Sequence, residues 1–196
     1  MKQVLTGILL FFLGINSMVA QDRTLLNESK IESIGGFGGP IIQVSQIGDG
    51  AVASFGGGGG VVLNDFFIGG FGSGLGIERW QSDFEEYDVD LGYGGLWLGY
   101  SFLDDRAVHP YVSLQAAVGA LDIGRDDFID TTIDEFTVGV LLPEIGAEVN
   151  LTSWFKLSAT IGYRWVSDFD RTDIIAPEDI RSAYLGINLR FGYFGG

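Results

Sequence analysis

A chain of 196 residues that is 46% hydrophobic and 19% charged carries enough apolar surface for one folded domain, which excludes disorder over most of its length. The net charge of −15, from 26 acidic residues against 11 Lys and Arg, argues against nucleic acid and anionic surfaces as partners, because both call for clustered cations. There is no cysteine, so disulfides, thiolate metal sites, cysteine nucleophiles and lipid attachment at an N-terminal Cys are excluded.

Taken in chain order, Lys2, an apolar run over residues 4–13 and the small Ala20 form the charged, greasy and small-residue zones of a secretory signal peptide over residues 1–20, with cleavage expected near Ala20/Gln21. Residues 21–33 are polar and irregular and read as a short lead-in segment. Strands follow. The first is predicted over 34–47, with Pro40 suggesting a bulge because it has no ladder N–H to give. Gly48-Asp49-Gly50 is a turn by residue type, and a second strand over 51–63 carries five consecutive glycines, Gly56 to Gly60, before the Asn64-Asp65 turn.

A third strand runs from Phe66 to about Trp80, and an acidic loop leads to a fourth over about 87–102. There Gly94-Gly95 is the expected place for a one-residue slip, which would put Val89, Leu91 and Tyr93 on one face with Leu96, Leu98, Tyr100 and Phe102. After a turn over 103–109, the fifth strand (110–121) sets Val112, Leu114, Ala116, Val118 and Ala120 against Ser113, Gln115, Ala117 and Gly119. The sixth (136–151) sets Ile145, Ala147, Val149 and Leu151 against Glu144, Gly146, Glu148 and Asn150, with Pro143 disturbing its upper half. Alternation is clearest in the seventh, where Phe155, Leu157, Ala159, Ile161, Tyr163 and Trp165 oppose Lys156, Ser158, Thr160, Gly162 and Arg164. A loop over 167–179 leads to the closing strand, 181–194, where Leu185, Ile187, Leu189 and Phe191 oppose Gly186, Asn188, Arg190 and Gly192.

Eight strands, an even number, joined by short turns that alternate with one short and three long acidic loops, describe an up-and-down barrel. After the signal peptide no apolar run reaches the length of a membrane helix, so a membrane location demands a closed barrel, in which every backbone polar group has an internal partner. A soluble lipocalin-like barrel has the same period. Small residues on the polar face and aromatics at strand ends (Trp80, Tyr87, Tyr100, Phe102, Tyr111, Trp154, Phe155, Tyr163, Trp165, Phe191, Tyr193) favour an apolar face turned to lipid. Glu78, Glu144, Glu148, Lys156, Arg164 and Arg190 then fall inside, where opposite charges can pair; a Lys or Arg turned to the bilayer midplane would cost about 2 to 4 kcal/mol.

On this pattern the chain resembles the small eight-stranded outer-membrane barrels, of the kind seen in the membrane domain of outer-membrane protein A and its shorter relatives. The resemblance covers residues 34–196 and implies an all-β, eight-stranded antiparallel transmembrane barrel in the cell outer membrane, in contact with its lipid and lipopolysaccharide. It also implies that the aromatics ending the last strand, Phe191, Tyr193 and Phe194, are read by the barrel-insertion machinery, although here Gly195 and Gly196 follow where the family ends on the aromatic.

Enzymatic motifs are sparse. His109, the single histidine, is predicted in a turn at the periplasmic side, the wrong end for a Ser/His/acid esterase acting outside. Glu144 and Glu148 share a face but lie about 13 Å apart along a strand, too far for a paired-carboxylate glycosidase. No Gly-Lys-Ser/Thr follows the glycine run, and the Asp126/Asp127/Asp130 and Asp168/Asp170/Asp173 sets lack EF-hand spacing, so no cofactor or metal is expected. The reading is a non-enzymatic outer-membrane barrel whose acidic external loops are structural or meet an extracellular ligand, with no role for nucleic acid. The alternatives are an outer-membrane enzyme acting on lipid A or peptides, and a narrow pore.

Overall fold

The computed structural model describes residues 33–48, 50–82, 85–125, 131–168 and 175–194, with side chains described throughout except at 78–86, 125 and 131–133. The expected signal peptide, the lead-in up to residue 32, Asp126, Asp127, Asp130, Asp170, Asp173, Gly195 and Gly196 lie outside the described residues.

The described residues form eight strands: β1 (Ile34–Ile47), β2 (Gly50–Leu63), β3 (Phe66–Ser82), β4 (Glu85–Ser101), β5 (Val108–Arg125), β6 (Thr131–Thr152), β7 (Phe155–Val166) and β8 (Ser182–Tyr193). Each pairs antiparallel with its neighbour in sequence, and β8 pairs with β1, so the sheet closes into an up-and-down barrel. One helical turn, α1 (Pro177–Ile180), precedes β8; the Asp179 carboxylate accepts the Ala176 N–H at its start.

Alternation places the charges within and the grease without. Lys156 and Arg190 are buried in the lumen, while Ile161 and Leu185 on the same two strands are 60% and 64% exposed. Val118 and Ile145, both 65% exposed, continue this apolar belt around the wall, a surface suited to hydrocarbon and foreign to a soluble barrel. Tyr100, Phe102, Trp154, Phe191 and Tyr193 stand outward at the short-turn end, and Tyr163 and Trp165 outward at the opposite, hairpin end.

Several sequence expectations need correction. Pro40 makes no bulge: β1 stays in step with β2 from Ile34↔Leu63 to Ile47↔Gly50, and the ladder to β8 skips Gly39 and Pro40 without losing register. Pro143 acts alike, in step opposite Leu114 and skipped in the ladder to β7. A proline thus removes a hydrogen bond without adding a residue to its strand. Shifts fall instead between Ile77/Trp80, Ile123/Gly124 and Asn150/Thr152.

Nor does β4 slip at Gly94-Gly95, which pair in register with Gly72 and Phe71. Val89, Leu91 and Tyr93 therefore point inward, opposite in phase to the exposed Leu96 and Tyr100. With Leu121, Ile123, Val138, Val140, Leu142 and Val166 they build an apolar core in the hairpin half of the lumen, closed by Ile175 and Ile180 beside and within α1. Tyr87 and Tyr111, expected in the outer girdle, are likewise buried inside.

The described parts of the first two acidic segments are strand. β3 to β6 run on past the last β2↔β3 pair, Ser54↔Leu75, and the last β6↔β7 pair, Val140↔Val166, and the β3 and β4 strands are joined across only residues 83–84. Asp88, Asp90, Asp122, Asp134 and Glu135 ride on this overhanging sheet, whose inward residues Ile77, Val89, Ile123 and Val138 give it the apolar face that a strand needs to persist beyond the barrel rim.

Inside, glycines make the room that large side chains use. A Cβ on Gly58 would lie 3.0 Å from the Trp97 ring, one on Gly99 would strike the Phe67 ring, and one on Gly162 the Tyr184 ring. Within the run Gly56 to Gly60, Gly58 is therefore the bare patch of inner wall against which Trp97 packs. Gly162→Ala should cost about 1–3 kcal/mol through this collision, read as a lower urea midpoint for the compact form on gels; Gly92→Ala, with nothing within 4 Å of the new Cβ, should leave the midpoint in place.

Candidate functional site: a buried charge cluster in an aromatic cage

At the short-turn end the inward faces of four strands bring together His109 (β5), Glu148 (β6), Lys156 (β7) and Arg190 (β8). The β6↔β7 register sets Glu148 opposite Ser158, and the β7↔β8 register sets Lys156 opposite Arg190, so backbone pairing alone gathers the charges. Glu148 is fully buried. Its Oε2 accepts from Arg190 Nη1 at 2.6 Å and Ser158 Oγ at 2.8 Å; its Oε1 accepts from Ser101 Oγ at 3.3 Å and lies 3.4 Å from Lys156 Nζ and 3.2 Å from His109 Nε2.

Arg190 spends the rest of its guanidinium on rings. Its carbon lies 4.1 Å from the Phe37 centroid, 4.2 Å from Phe67, 5.0 Å from Tyr111 and 5.2 Å from Trp97. Its Nε and Nη2 have no hydrogen-bond partner among the described residues, and the ring faces supply the negative potential that stands in for one. The rings brace one another, Phe67 meeting Phe37 and Trp97 edge-on at 5.1 and 5.2 Å. Below the cage, Phe194 stacks on Phe37 and carries Lys156 Nζ 4.6 Å over its own ring. Phe194 thus points into the barrel, away from the outward Phe191 and Tyr193 with which the sequence grouped it.

The other interior charges stand apart from this cluster. Glu144 is held by neutral donors, Ser113 Oγ at 2.6 Å, Tyr184 Oη at 3.0 Å and Gln43 Nε2 at 3.3 Å, with no cation at ion-pair distance among the described residues. Arg164 is fully buried; among the described residues its polar contacts are Ser45 Oγ at 3.4 Å and Ser182 Oγ at 3.5 Å, with the Tyr184 ring at 5.9 Å. The Glu78 side chain lies outside the described ones.

His109 is corrected from a turn residue to an interior one. It sits in β5 at 1% exposure, with Nδ1 3.1 Å from the Arg106 carbonyl oxygen. Stepping back by two from Tyr111 would have found it, but a neighbouring proline and the run of charges before it read as a turn. Its setting is structural. The carboxylate is the hub that both Ser101 and His109 address, and the two ring nitrogens of His109 face Glu148 and the Arg106 carbonyl rather than a serine hydroxyl. The aromatic cage was equally hidden, because Phe37, Phe67 and Trp97 come from three strands whose sequence shows only alternation.

Removing the hub charge should be costly. Glu148→Gln leaves Arg190 and Lys156 buried without a counter-charge and should lower unfolding stability by about 3–5 kcal/mol, measured by urea titration of the folded gel species; adding Arg190→Met should restore part of the loss.

No protein-family model and no curated protein matches this sequence. Solved structures do. Neisserial surface protein A is similar at 13% identity with a TM-score of 0.53, covering 81% of this chain and 96% of that one. Ail, the attachment invasion locus protein of Yersinia pestis, is similar at 15% identity and a TM-score of 0.52 in its complex with the heparin analogue sucrose octasulfate, covering 83% of this chain and 99% of that one. Its structure without that ligand gives 14% identity and a TM-score of 0.50. This chain has the fold of the small eight-stranded outer-membrane barrels.

Proposed function

We propose that this chain is a non-enzymatic barrel of the outer membrane whose overhanging acidic sheet is the surface it offers to a partner outside the cell. The observation that carries this reading is the lumen, which is taken up by side chains in both halves: the caged charge cluster at one end, the apolar core capped by Ile175 and Ile180 at the other. An interior packed in this way by the described side chains leaves little room for a bore or a substrate, so on this reading the belt meets lipid and the hairpins carry recognition. Short turns and the end of β8 then lie in the periplasm, the hairpins outside, and residues 1–20 serve export.

The sign of the surface narrows the partner. Ail was solved with a sulfated polyanion. Asp88, Asp90, Asp122, Asp134 and Glu135 on the overhang would repel such a ligand, and a cationic surface fits them instead. The barrel-insertion machinery would read Phe191, Tyr193 and Phe194 on the incoming strand, before Phe194 is stacked on Phe37.

Protein from the outer-membrane fraction should run as a compact, heat-sensitive species before boiling. In planar bilayers it should give no steady large conductance; a persistent open level would replace this reading with a pore. An oligolysine peptide should bind the embedded protein at low salt and release at high salt, whereas sucrose octasulfate should not bind; the reverse preference would remove the acidic sheet as the recognition surface.

A further inference from the structure

The tip of the β1–β2 hairpin is tied to neither of its neighbours. Pairing between β1 and β8 runs from Gly36↔Tyr193 to Ser45↔Tyr184 and stops, although β1 continues to Ile47 and β8 begins at Ser182. On the other side, pairing between β2 and β3 stops at Ser54↔Leu75, although β2 begins at Gly50 and β3 continues to Ser82. Between themselves β1 and β2 stay in step up to Ile47↔Gly50. Residues 46–47 and 50–53 therefore form a two-stranded tip whose ladder partners, among the described residues, all belong to the hairpin itself.

This tip closes one side of the aliphatic half of the lumen with two side chains. Ile47 and Val52 point inward at 3% and 8% exposure and belong to the aliphatic core, while Gln46, Ala51 and Ala53 point outward. The base of the tip is pinned: Ser45 Oγ accepts from Arg164 Nη1 at 3.4 Å, and Ser54 Oγ lies 3.0 Å from Ser73 Oγ and donates to Gln43 Oε1 at 3.4 Å. Above that base the wall gapes, with a notch of about 490 Å³ lined by Gln46, Gly50 and Ala51 of the hairpin and by Ala183 and Leu185 of β8. On the far side of the same core the wall is continuous, β4 staying paired with β5 as far as Tyr87↔Arg125.

We propose that these strand tips are a flap, hinged where the two ladders end, that swings away from the wall and opens the aliphatic half of the lumen sideways. A segment opens locally at the cost of the contacts that tie it to its surroundings. Here that cost is the burial of Ile47 and Val52, with no pair to β3 or β8 to break. The pairs Gln46↔Ala51 and Ile47↔Gly50 lie within the flap and stay made, so its two strands move as one body. Parting β4 from β5 at the level of the same core breaks ladder pairs first, which leaves the hairpin tip as the side that yields. This goes beyond the recognition role proposed above and uses neither the acidic sheet nor its partner.

The test labels single thiols in the full-length protein, held in phosphatidylcholine nanodiscs as the compact, heat-sensitive species; the chain has no native cysteine to interfere. Ile47→Cys and Val52→Cys should react with a water-soluble methanethiosulfonate at matching rates, about a hundredfold faster than Leu121→Cys, which lies in the same core on a strand paired on both sides. A metal clip separates a moving flap from a leaky wall. Gln46 and Ala183 are the next pair in the β1↔β8 register, both point outward, and His109, the single native histidine, is buried, so Gln46→His with Ala183→His sets two imidazoles across the notch for nickel. In that background, nickel at about ten times its measured dissociation constant should slow labelling of Ile47→Cys about tenfold, and a chelator should restore the rate. Labelling of Ile47→Cys no faster than that of Leu121→Cys, or a rate that bound nickel leaves unchanged, would overturn the proposal. So would widely different rates for Ile47→Cys and Val52→Cys, which would mean that the two strands fray singly.

Discussion

An eight-stranded cylinder has a narrow interior, and the volume inside it governs everything else in this barrel. Each inward side chain competes for the same space, so bulk on one strand requires its absence on another. The glycines of β2 and Gly99 and Gly162 are the absent side, and Trp97, Phe67 and Tyr184 the bulk that fills it. Trp97 and Phe67, with Phe37 and Tyr111, surround Arg190, which lies 2.6 Å from Glu148. A carboxylate with no exposure is tolerable here because five side-chain groups face its two oxygens.

The interior is divided along its length. The ion-paired cluster and its cage occupy the short-turn half, where strand ends supply His109, Lys156 and Arg190, and aliphatic residues predominate in the hairpin half, where β3 to β6 outrun their neighbours and Arg164 is the buried cation among the described residues. The apolar half behaves as the core of a small soluble protein built on top of a membrane span, and α1 lays Ile180 across it as a soluble protein would use a helix. Alternation therefore means different things along one strand: on β4, Leu96 faces outward at the level of the belt while Leu91 faces inward beneath the overhang.

That change of meaning explains how much was legible in the sequence. Strand number, order and most boundaries follow from a period of two and from turn residues, and β1 is bounded as read. The inward placement of Lys156 and Arg190 follows from the clean alternation of β7 and β8. What period cannot convey is phase across a glycine pair: inferring a slip at Gly94-Gly95 kept the aliphatic residues of β4 on one face, whereas an unbroken ladder to β3 keeps them on two. The acidic hairpins were read as loops because charge suggests solvent, and solvent is where their outer face is; the inner face, Ile77, Val89 and Ile123, holds them as strand. The partners within the lumen were out of reach, since they depend on cross-strand register and on which glycines lie beside which rings.

The cage also bears on how the barrel comes to exist. Its members lie on β1, β3, β4, β5 and β8, and the acid it serves lies on β6, so no hairpin or partial sheet contains the set. A half-assembled sheet carries Arg190 without its rings and Lys156 without its counter-ion, in a surrounding that tolerates neither. The set is therefore complete only when β8 has met both β1 and β7, and a one-residue shift of β8 would turn Arg190 to the outer face, away from Glu148 and the rings.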